Sequence, residues 1–231
     1  MACYRDGGCG PYEHISCSEC PASKPEYFAK SVVKDVSKEK ENPRAAKKFY
    51  ISDWHYNHKN CLAFDNRPFT SIEQMNEALV ERWNSVVKPG DVVYVLGDMF
   101  WCNADVAIPV LDSLAGEIFL VKGNHDRCHI KKLTDKFVKV AEYMEIEDGG
   151  RNVVLSHYPI PCFKNHFYGW YHLYGHVHNS FEFNMMEHDK FLMQELYTRP
   201  CNMYNVGAMM PWMDYTPRTL DEIVAACDKT C

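Results

Sequence analysis

The chain has 231 residues, of which 46% are apolar and 24% are charged, and a formal net charge of −6. This length can bury a substantial core, and the composition is ordinary for a soluble globular protein, so general disorder is excluded. The acidic balance excludes a general attraction to nucleic acid or anionic membrane, and a polyanionic substrate would therefore need a local positive field.

Residues 1–29 are rich in Cys, Pro and Gly and contain no periodic apolar segment, which predicts a small loop-dominated appendage. The segment lacks the features of a signal peptide, and no apolar run in the chain is long enough to span a membrane. We therefore expect a cytoplasmic protein with no membrane partner. Its eleven cysteines are then thiols or metal ligands rather than a disulfide framework.

Four thiols of this appendage could close a structural zinc site, and a segment without a core needs such a staple to become ordered. They are Cys3, Cys9, Cys17 and Cys20. Oxidised cysteine pairs and a flexible reduced tail are the alternatives. Residues 30–48 are strongly charged, which predicts a solvated helix or linker, with a nucleic-acid contact as the minor alternative.

Between residues 49 and 231, short apolar runs alternate with amphipathic segments, which predicts one domain of mixed strands and helices. The predicted buried strands are Phe49–Ser52, Val92–Leu96, Ile118–Val121, Val153–Ser156 and Tyr171–Tyr174. Helices are predicted after a capping box of Thr70 and Glu73, at 106–114 and at 219–227. The Met-rich insert 180–200 is predicted to form a hairpin on the core, with an apolar flap and a dimer contact as alternatives.

Each predicted strand is followed by a polar motif of metal-ligating residue types, in the order SDWH, GD, GNHD, SH and GHVH. A rigid sheet holds its strand ends in place, so these motifs can meet at one edge. One such motif alone is weak, but this ordered series is not expected from core packing. The predicted metal ligands are Asp53, His55, Asp98, Asn124, His157, His176 and His178.

The spacing and chemistry of these residues predict a site for two metal ions. Asp53 and His55 lie two residues apart, so in an extended chain their side chains fall on the same side. Asp98 follows a strand on a tight turn and is suited to bridge two cations. The mixed nitrogen and oxygen donors favour Mn²⁺, Fe²⁺, Zn²⁺, Co²⁺ or Ni²⁺ over Ca²⁺ and Mg²⁺. Two carboxylates and one hydroxide then leave about one positive charge for a phosphate group.

On these motifs the sequence resembles the calcineurin-like metallophosphoesterase superfamily over about residues 48–226. The stretches FDNRPF, ERWNSVVKPGD, LSHYPI and HLYGHVHN further resemble a small branch of bacterial and phage predicted phosphoesterases. The resemblance implies an α/β fold, a four-layer α/β/β/α sandwich of two mixed β-sheets with the site at their loop edge. It implies one metal held by Asp53, His55, Asp98 and His178 and a second held by Asp98, Asn124, His157 and His176.

The resemblance also implies that His125 binds neither metal and acts as the general acid. A hydroxide between two cations would attack phosphorus while His125 protonates the leaving oxygen. The run GDMFWC lacks the arginine-containing segment of the superfamily's Ser/Thr protein phosphatases, which argues against a protein phosphatase. Because we expect a compact site without a basic groove, a small nucleotide-like phosphodiester is the expected substrate. In place of the missing arginine, His58, Arg67 or Arg127 could bind the substrate, with a surface or loop-pinning role as the alternative for Arg67.

Three other functions are left open by the sequence. They are a phosphomonoesterase, a nuclease that the N-terminal cysteines direct to nucleic acid, and a binding module that keeps the metal site without catalysis. The retention of His125 together with every predicted ligand argues against the binding module, because a degenerate site has no reason to keep its acid.

Overall fold

The computed structural model describes residues 44–126 and 133–227. Ala46 begins the compact unit that contains every strand and helix named below. The cysteine-rich appendage, most of the charged linker and Arg127 lie outside the described residues. The boundaries proposed for the appendage and the linker therefore stay predictions.

The strands form two four-stranded sheets. The first contains, side by side and parallel, β1 (Lys48–Ile51), β2 (Val92–Val95), β3 (Glu117–Val121) and β4 (Lys139–Ala141). The second contains β5 (Tyr143–Asp148), β6 (Arg151–Ser156), β7 (Tyr171–Tyr174) and β8 (Asn202–Asn205), of which only β5 runs antiparallel to its neighbour. The described helices are α1 (Cys61–Phe64), α2 (Ile72–Val86), α3 (Ala104–Ser113), α4 (Phe181–Tyr197) and α5 (Leu220–Cys227).

The two sheets share one buried core, and a row of aromatic side chains of the first sheet lies in it. Tyr50, Tyr94 and Phe119 occupy equivalent positions on β1, β2 and β3. Their rings lie 5.6 and 5.0 Å apart between successive centroids. The Tyr50 hydroxyl donates a hydrogen bond of 2.9 Å to Asp148 on β5, which joins the first sheet to the second. The predicted α/β sandwich of two sheets is confirmed.

Helices and loops contribute the rest of the buried surface. From α2, Met75, Leu79 and Trp83 enter the main core. From α4, Phe183 and Met193 pack on a separate cluster formed by the second sheet. Among the described residues, no helix combines the length and the apolar character that crossing a membrane requires.

All five predicted strands are present, with ends that differ by at most two residues from the prediction. The strands that the sequence pattern missed are β4, β5 and β8, and each lies at the edge of a sheet. Strands β4 and β5 are partly exposed, so they lack the continuous apolar run that marks a central strand. Strand β8 is mostly buried, but Asn202 and Asn205 at its ends interrupt its apolar pattern.

Two helix predictions need correction at their N-termini. The cap of α2 is Ser71 rather than Thr70, since Ser71 Oγ accepts a hydrogen bond of 3.2 Å from the Gln74 backbone N–H. The Gln74 side chain in turn accepts one of 2.6 Å from the backbone N–H of Thr70. Ser71 and Gln74 have the capping-box spacing that had been assigned one residue earlier. Helix α3 begins at Ala104, two residues before the predicted start, because Asn103 caps it.

The insert 180–200 contains helix α4, and the predicted hairpin is wrong. Ser180 Oγ accepts a hydrogen bond of 3.1 Å from the Glu182 backbone N–H and caps the helix. The insert is rich in Met, Glu and Leu, which favour helices. Phe183, Met186 and Met193 pack on the core, whereas Phe181, Phe191 and Leu196 are exposed. The flap and the dimer contact stay predictions.

Candidate metal centre

The side chains that follow five different strands meet at one edge of the sandwich. Asp53 follows β1, Asp98 follows β2, Asn124 follows β3, His157 follows β6, and His176 and His178 follow β7. Together with His55, they comprise every metal ligand predicted from the sequence. The distances between their donor atoms divide them into two clusters that share Asp98.

The first cluster consists of Asp53, His55 and His178. The Nε2 atoms of His55 and His178 lie 3.3 Å apart. Asp53 Oδ1 lies 3.8 Å from the first of these nitrogens and 3.4 Å from the second. Ligand atoms placed tetrahedrally at about 2.1 Å from an ion are about 3.4 Å apart. The three side chains therefore have the spacing that a shared cation requires.

The second cluster consists of Asn124, His157 and His176. Asn124 Oδ1 lies 3.0 Å from His157 Nε2 and 3.0 Å from His176 Nδ1. Asp98 Oδ2 lies 3.6 Å from His157 Nε2 and 3.9 Å from His55 Nε2. Asp98 therefore lies between the two clusters, as its predicted bridging role requires.

Each carboxylate has one oxygen held by the backbone and the other directed into the site. Asp53 Oδ2 accepts a 2.9 Å hydrogen bond from the His176 N–H, and Asp98 Oδ1 accepts one of 2.9 Å from the His125 N–H. Among the described residues, the buried Asp53 Oδ1 has no hydrogen bond. A buried charged oxygen without a partner is costly, and a cation between Asp53, His55 and His178 would satisfy it. The donors present thus fit a divalent transition-metal ion.

The ligand-bearing turns adopt an unusual backbone conformation. Positive φ angles between 49° and 69° occur at Asp53, His55, Asp98, His176 and His178. Such angles cost a non-glycine residue about 1–3 kcal/mol and concentrate at functional sites. The predicted extended conformation of Asp53 and His55 is therefore wrong, although both side chains reach the same place. Gly123 and Gly175 are required nearby, because an added Cβ would collide with Asp98 and with Asp53, respectively.

The comparisons with known proteins agree with this geometry. Residues 49–205 match the family model of the calcineurin-like phosphoesterases. A segment of 183 residues is 34% identical to the uncharacterized protein MJ1445 of Methanocaldococcus jannaschii, covering 78% of this chain and 91% of that protein. The chain belongs to the calcineurin-like phosphoesterase family. It is therefore a metal-dependent phosphoesterase, as the motifs predicted.

This phosphoesterase is also similar to a phage protein and to a solved structure. The gene 66 protein of Mycobacterium phage L5 is 28% identical over 130 residues, which cover 48% of this chain and 62% of that protein. The crystal structure of the protein of unknown function AQ665 from Aquifex aeolicus superimposes with a TM-score of 0.58 at 25% identity, covering 80% of this chain and 100% of that one. The second similarity extends the shared fold over most of the domain.

A buried ion pair supports the first cluster of the phosphoesterase. Asp65 Oδ1 lies 2.6 Å from His178 Nδ1, and Asp65 Oδ2 accepts a hydrogen bond of 2.9 Å from Arg67 Nε. Arg67 also donates to the backbone carbonyls of Asp53 and Trp54, each at 2.9 Å. We call Asp65 and Arg67 the clamp, because they hold both chain segments that carry the first cluster. A carboxylate behind a ligating histidine sets the orientation of its ring and raises its basicity.

Backbone groups and one carboxylate support the second cluster and Asp98. His157 Nδ1 lies 2.7 Å from the Leu96 carbonyl oxygen, which leaves Nε2 directed into the site. The buried Asp126 carboxylate accepts hydrogen bonds from the backbone N–H groups of Asp98, Met99 and Gly123. These bonds hold the turns after β2 and β3 in a fixed relation.

Burial and mutual charge determine the ionisation of the site. Burial raises the pKa of Asp98 to about 6 and holds the pKa of His55 well below its usual range. Burial also opposes the charge of His178, but its contacts with Asp53 and Asp65 outweigh burial and raise its pKa to about 10. For Asp53, the approach of His178 and the other imidazoles outweighs burial and lowers the pKa. A cation at His178 Nε2 would take the place of this proton.

The general acid predicted from the family, His125, lies beside the two clusters. Its side chain is 42% exposed, and its Nε2 lies 3.9 Å from Asp98 Oδ2. The ring meets Trp101 edge to face at 4.6 Å. His125 is thus open to solvent, while its backbone N–H holds the shared carboxylate.

The residues predicted to bind substrate have different surroundings. His58 is buried, with its ring stacked 3.9 Å from that of Trp101 and Nδ1 3.0 Å from Cys61 Sγ. Arg67 is also buried, and all three of its guanidinium nitrogens donate hydrogen bonds, to the Asp65 carboxylate and to two backbone carbonyls. These bonds correspond to the loop-pinning alternative. Arg127 and the four N-terminal cysteines lie outside the described residues, so their roles stay predictions.

Sequence reasoning missed two residues of the site, Asp65 and Trp101. Asp65 belongs to FDNRPF, a stretch that contributed to the family resemblance, and a carboxylate two residues before an arginine was an available signal. Its partner His178 is remote in sequence, so the pairing itself carries no local pattern. Trp101 follows the GD motif, and only the structure places it against His58 and His125.

Proposed function

We propose that this phosphoesterase hydrolyses small nucleotide-like phosphodiesters with the help of two divalent transition-metal ions. The observation that carries the proposal is the pair of donor clusters joined at Asp98. One cation would be held by Asp53, His55, Asp98 and His178, and the other by Asp98, Asn124, His157 and His176. When bound, two such ions polarise a phosphate and supply a hydrolytic nucleophile near neutral pH.

The residues around the clusters support the preference for a diester. A phosphodiester carries one negative charge near neutral pH, whereas a phosphomonoester carries nearly two. Among the described residues of the site, the one arginine is Arg67, and the clamp already engages its guanidinium group. A substrate of lower charge depends less on an additional cationic side chain.

His125 is suited to act on the leaving group. The expulsion of an alkoxide from a diester is assisted by a proton donor, and imidazole can supply a proton near neutral pH. His125 lies next to Asn124 of the second cluster, and its exposed ring can approach a substrate. Its hydrogen bond to Asp98 through the backbone keeps the ring beside both clusters.

The proposal is tested by turnover of bis-p-nitrophenyl phosphate and p-nitrophenyl phosphate by Mn²⁺-loaded full-length protein. We expect a higher kcat/KM for the diester, and we expect Asp98→Asn to lower it by at least about 10³-fold, because the shared ligand serves both ions. Asp105→Asn is the matched control, since Asp105 is an exposed aspartate on α3.

Three results would contradict the proposal. A metal-loaded wild-type protein that hydrolyses neither ester would refute the catalytic function, and so would an Asp98→Asn variant as active as Asp105→Asn. A higher kcat/KM for p-nitrophenyl phosphate would instead identify a phosphomonoesterase.

A further inference from the structure

An open cleft lies beside the first cluster, and most of the residues that line it are not candidate metal ligands. Its volume is about 530 Å³, and its lining includes Phe64, Asn66, His178, Asn179, Ser180 and Glu182. Small-molecule sites have volumes of about 300–1,000 Å³, so the cleft can hold one organic group next to a bound phosphate.

Phe64 presents an aromatic ring to this cleft. It lies at the end of α1, and its side chain is 56% exposed although it stands directly beside the site. Its ring centroid lies 5.6 Å from that of His178 and 6.5 Å from that of His55. A group attached to a phosphate at the first cluster would therefore pass next to the phenyl ring. Planar bases stack on such rings whatever their sequence.

The polar residues of the cleft indicate which group would lie there. Asn66 and Asn179 are exposed amides, and amides both donate and accept hydrogen bonds, as the edges of nucleobases do. Glu182 adds a carboxylate, which repels a second phosphate but accepts hydrogen bonds from the N–H groups of a base. The other carboxylate of the lining, Asp65, is neutralised within the clamp.

We propose that this cleft is a nucleobase subsite in which Phe64 is the stacking surface and Asn66 and Asn179 contact the edge of the base. The inference rests on the proposed function, because a phosphate bound at the metal centre is what brings the attached nucleoside to Phe64. It identifies the nucleoside part of the substrate as a determinant of affinity.

The test compares two ligands that share a phosphate but differ in the attached group. Adenosine 5′-monophosphate and methyl phosphate are titrated calorimetrically into Mn²⁺-loaded full-length protein. We expect the nucleotide to bind at least about tenfold more tightly, and we expect Phe64→Ala to remove most of this difference, since stacking on an aromatic side chain accounts for about that factor. Phe64→Trp should retain it.

Phe191→Ala is the matched control, because Phe191 is a phenylalanine of nearly equal exposure, 55%, on helix α4 and does not line the cleft. Equal affinity for the two ligands, or an unchanged difference in Phe64→Ala, would overturn the subsite. The same titration separates this inference from the proposed hydrolysis. A Phe64-dependent preference for the nucleotide in a protein that hydrolyses no diester would support the subsite and refute the catalytic proposal. Diester turnover without this preference would support the catalytic proposal and refute the subsite.

Discussion

Two buried polar regions of the domain differ in how their groups are satisfied. In the second sheet, His172 Nε2 accepts a 3.0 Å hydrogen bond from the Ile160 N–H, and Nδ1 lies 3.2 Å from the Val154 carbonyl oxygen. At the strand ends, the nitrogens of His55 and His178 instead face each other across 3.3 Å. Burial alone therefore does not distinguish a structural histidine from a metal ligand, whereas the partners of its nitrogens do.

The same contrast governs ionisation. Burial lowers the pKa of His172 to about 4, since its backbone partners provide no compensating charge, and the ring stays neutral. His178 is also largely buried, but Asp53 and Asp65 raise its pKa to about 10. The interior of the sheet thus holds a neutral imidazole, and the edge of the sandwich holds a site for positive charge.

The largest expected effect on the free energy of unfolding concerns the clamp, which supports the first cluster at the edge of the sandwich. Arg67→Met removes one of the two cationic partners of the buried Asp65 carboxylate and the donor to two backbone carbonyls, and we expect a loss of about 3–5 kcal/mol in the free energy of unfolding of metal-free protein. Urea denaturation measures this loss. Arg82→Met is the control, because the exposed ion pair of Arg82 with Asp214 should contribute less than about 1 kcal/mol. Equal losses in the two variants would show that the clamp has no special role.

The next effect concerns the interior histidine and depends on pH. The folded pKa of His172, about 4, lies below the ordinary value of 6.5, so the unfolded chain binds this proton first as pH falls. The contribution of the neutral His172 ring to the free energy of unfolding is therefore fully present above pH 6.5. It decreases by about 3 kcal/mol between pH 6.5 and about 4.

The measurement compares wild-type protein with His172→Gln in denaturant at several pH values in this window. Carboxylates titrate in both proteins, so the difference between the two curves isolates His172. The wild type should lose more stability on acidification. Parallel curves would mean that the ring is not held neutral by the sheet.

The smallest expected effect is the stabilisation by metal. Mn²⁺ at about 100 times the dissociation constant of the first cluster should stabilise the wild type by about 2.7 kcal/mol through that site, because the ion binds the folded state. His172→Gln should keep this gain, and Asp53→Asn should lose most of it. Thermal unfolding with and without EDTA provides the measurement. An equal gain in Asp53→Asn would contradict the assignment of the first cluster.

All four central strands, the edge strand β1 and the residue types of the candidate ligands were predictable from the sequence. The runs at Val92 and Tyr171 are buried, and each leads directly into a metal-capable motif. Edge strands such as β5 were missed because partial exposure weakens their apolar pattern. The helix at residues 181–197 was missed because its cap was overlooked, while its apolar content was read as a hairpin surface.

The sequence by itself determined which residues can bind metal and which strands they follow, because both depend on neighbours along the chain. Only the tertiary structure decided that His55 and His178 face each other, that Asp98 lies between two clusters, and that a clamp behind His178 holds the first of them. These relations are distances between residues remote in sequence, and packing of the two sheets sets them.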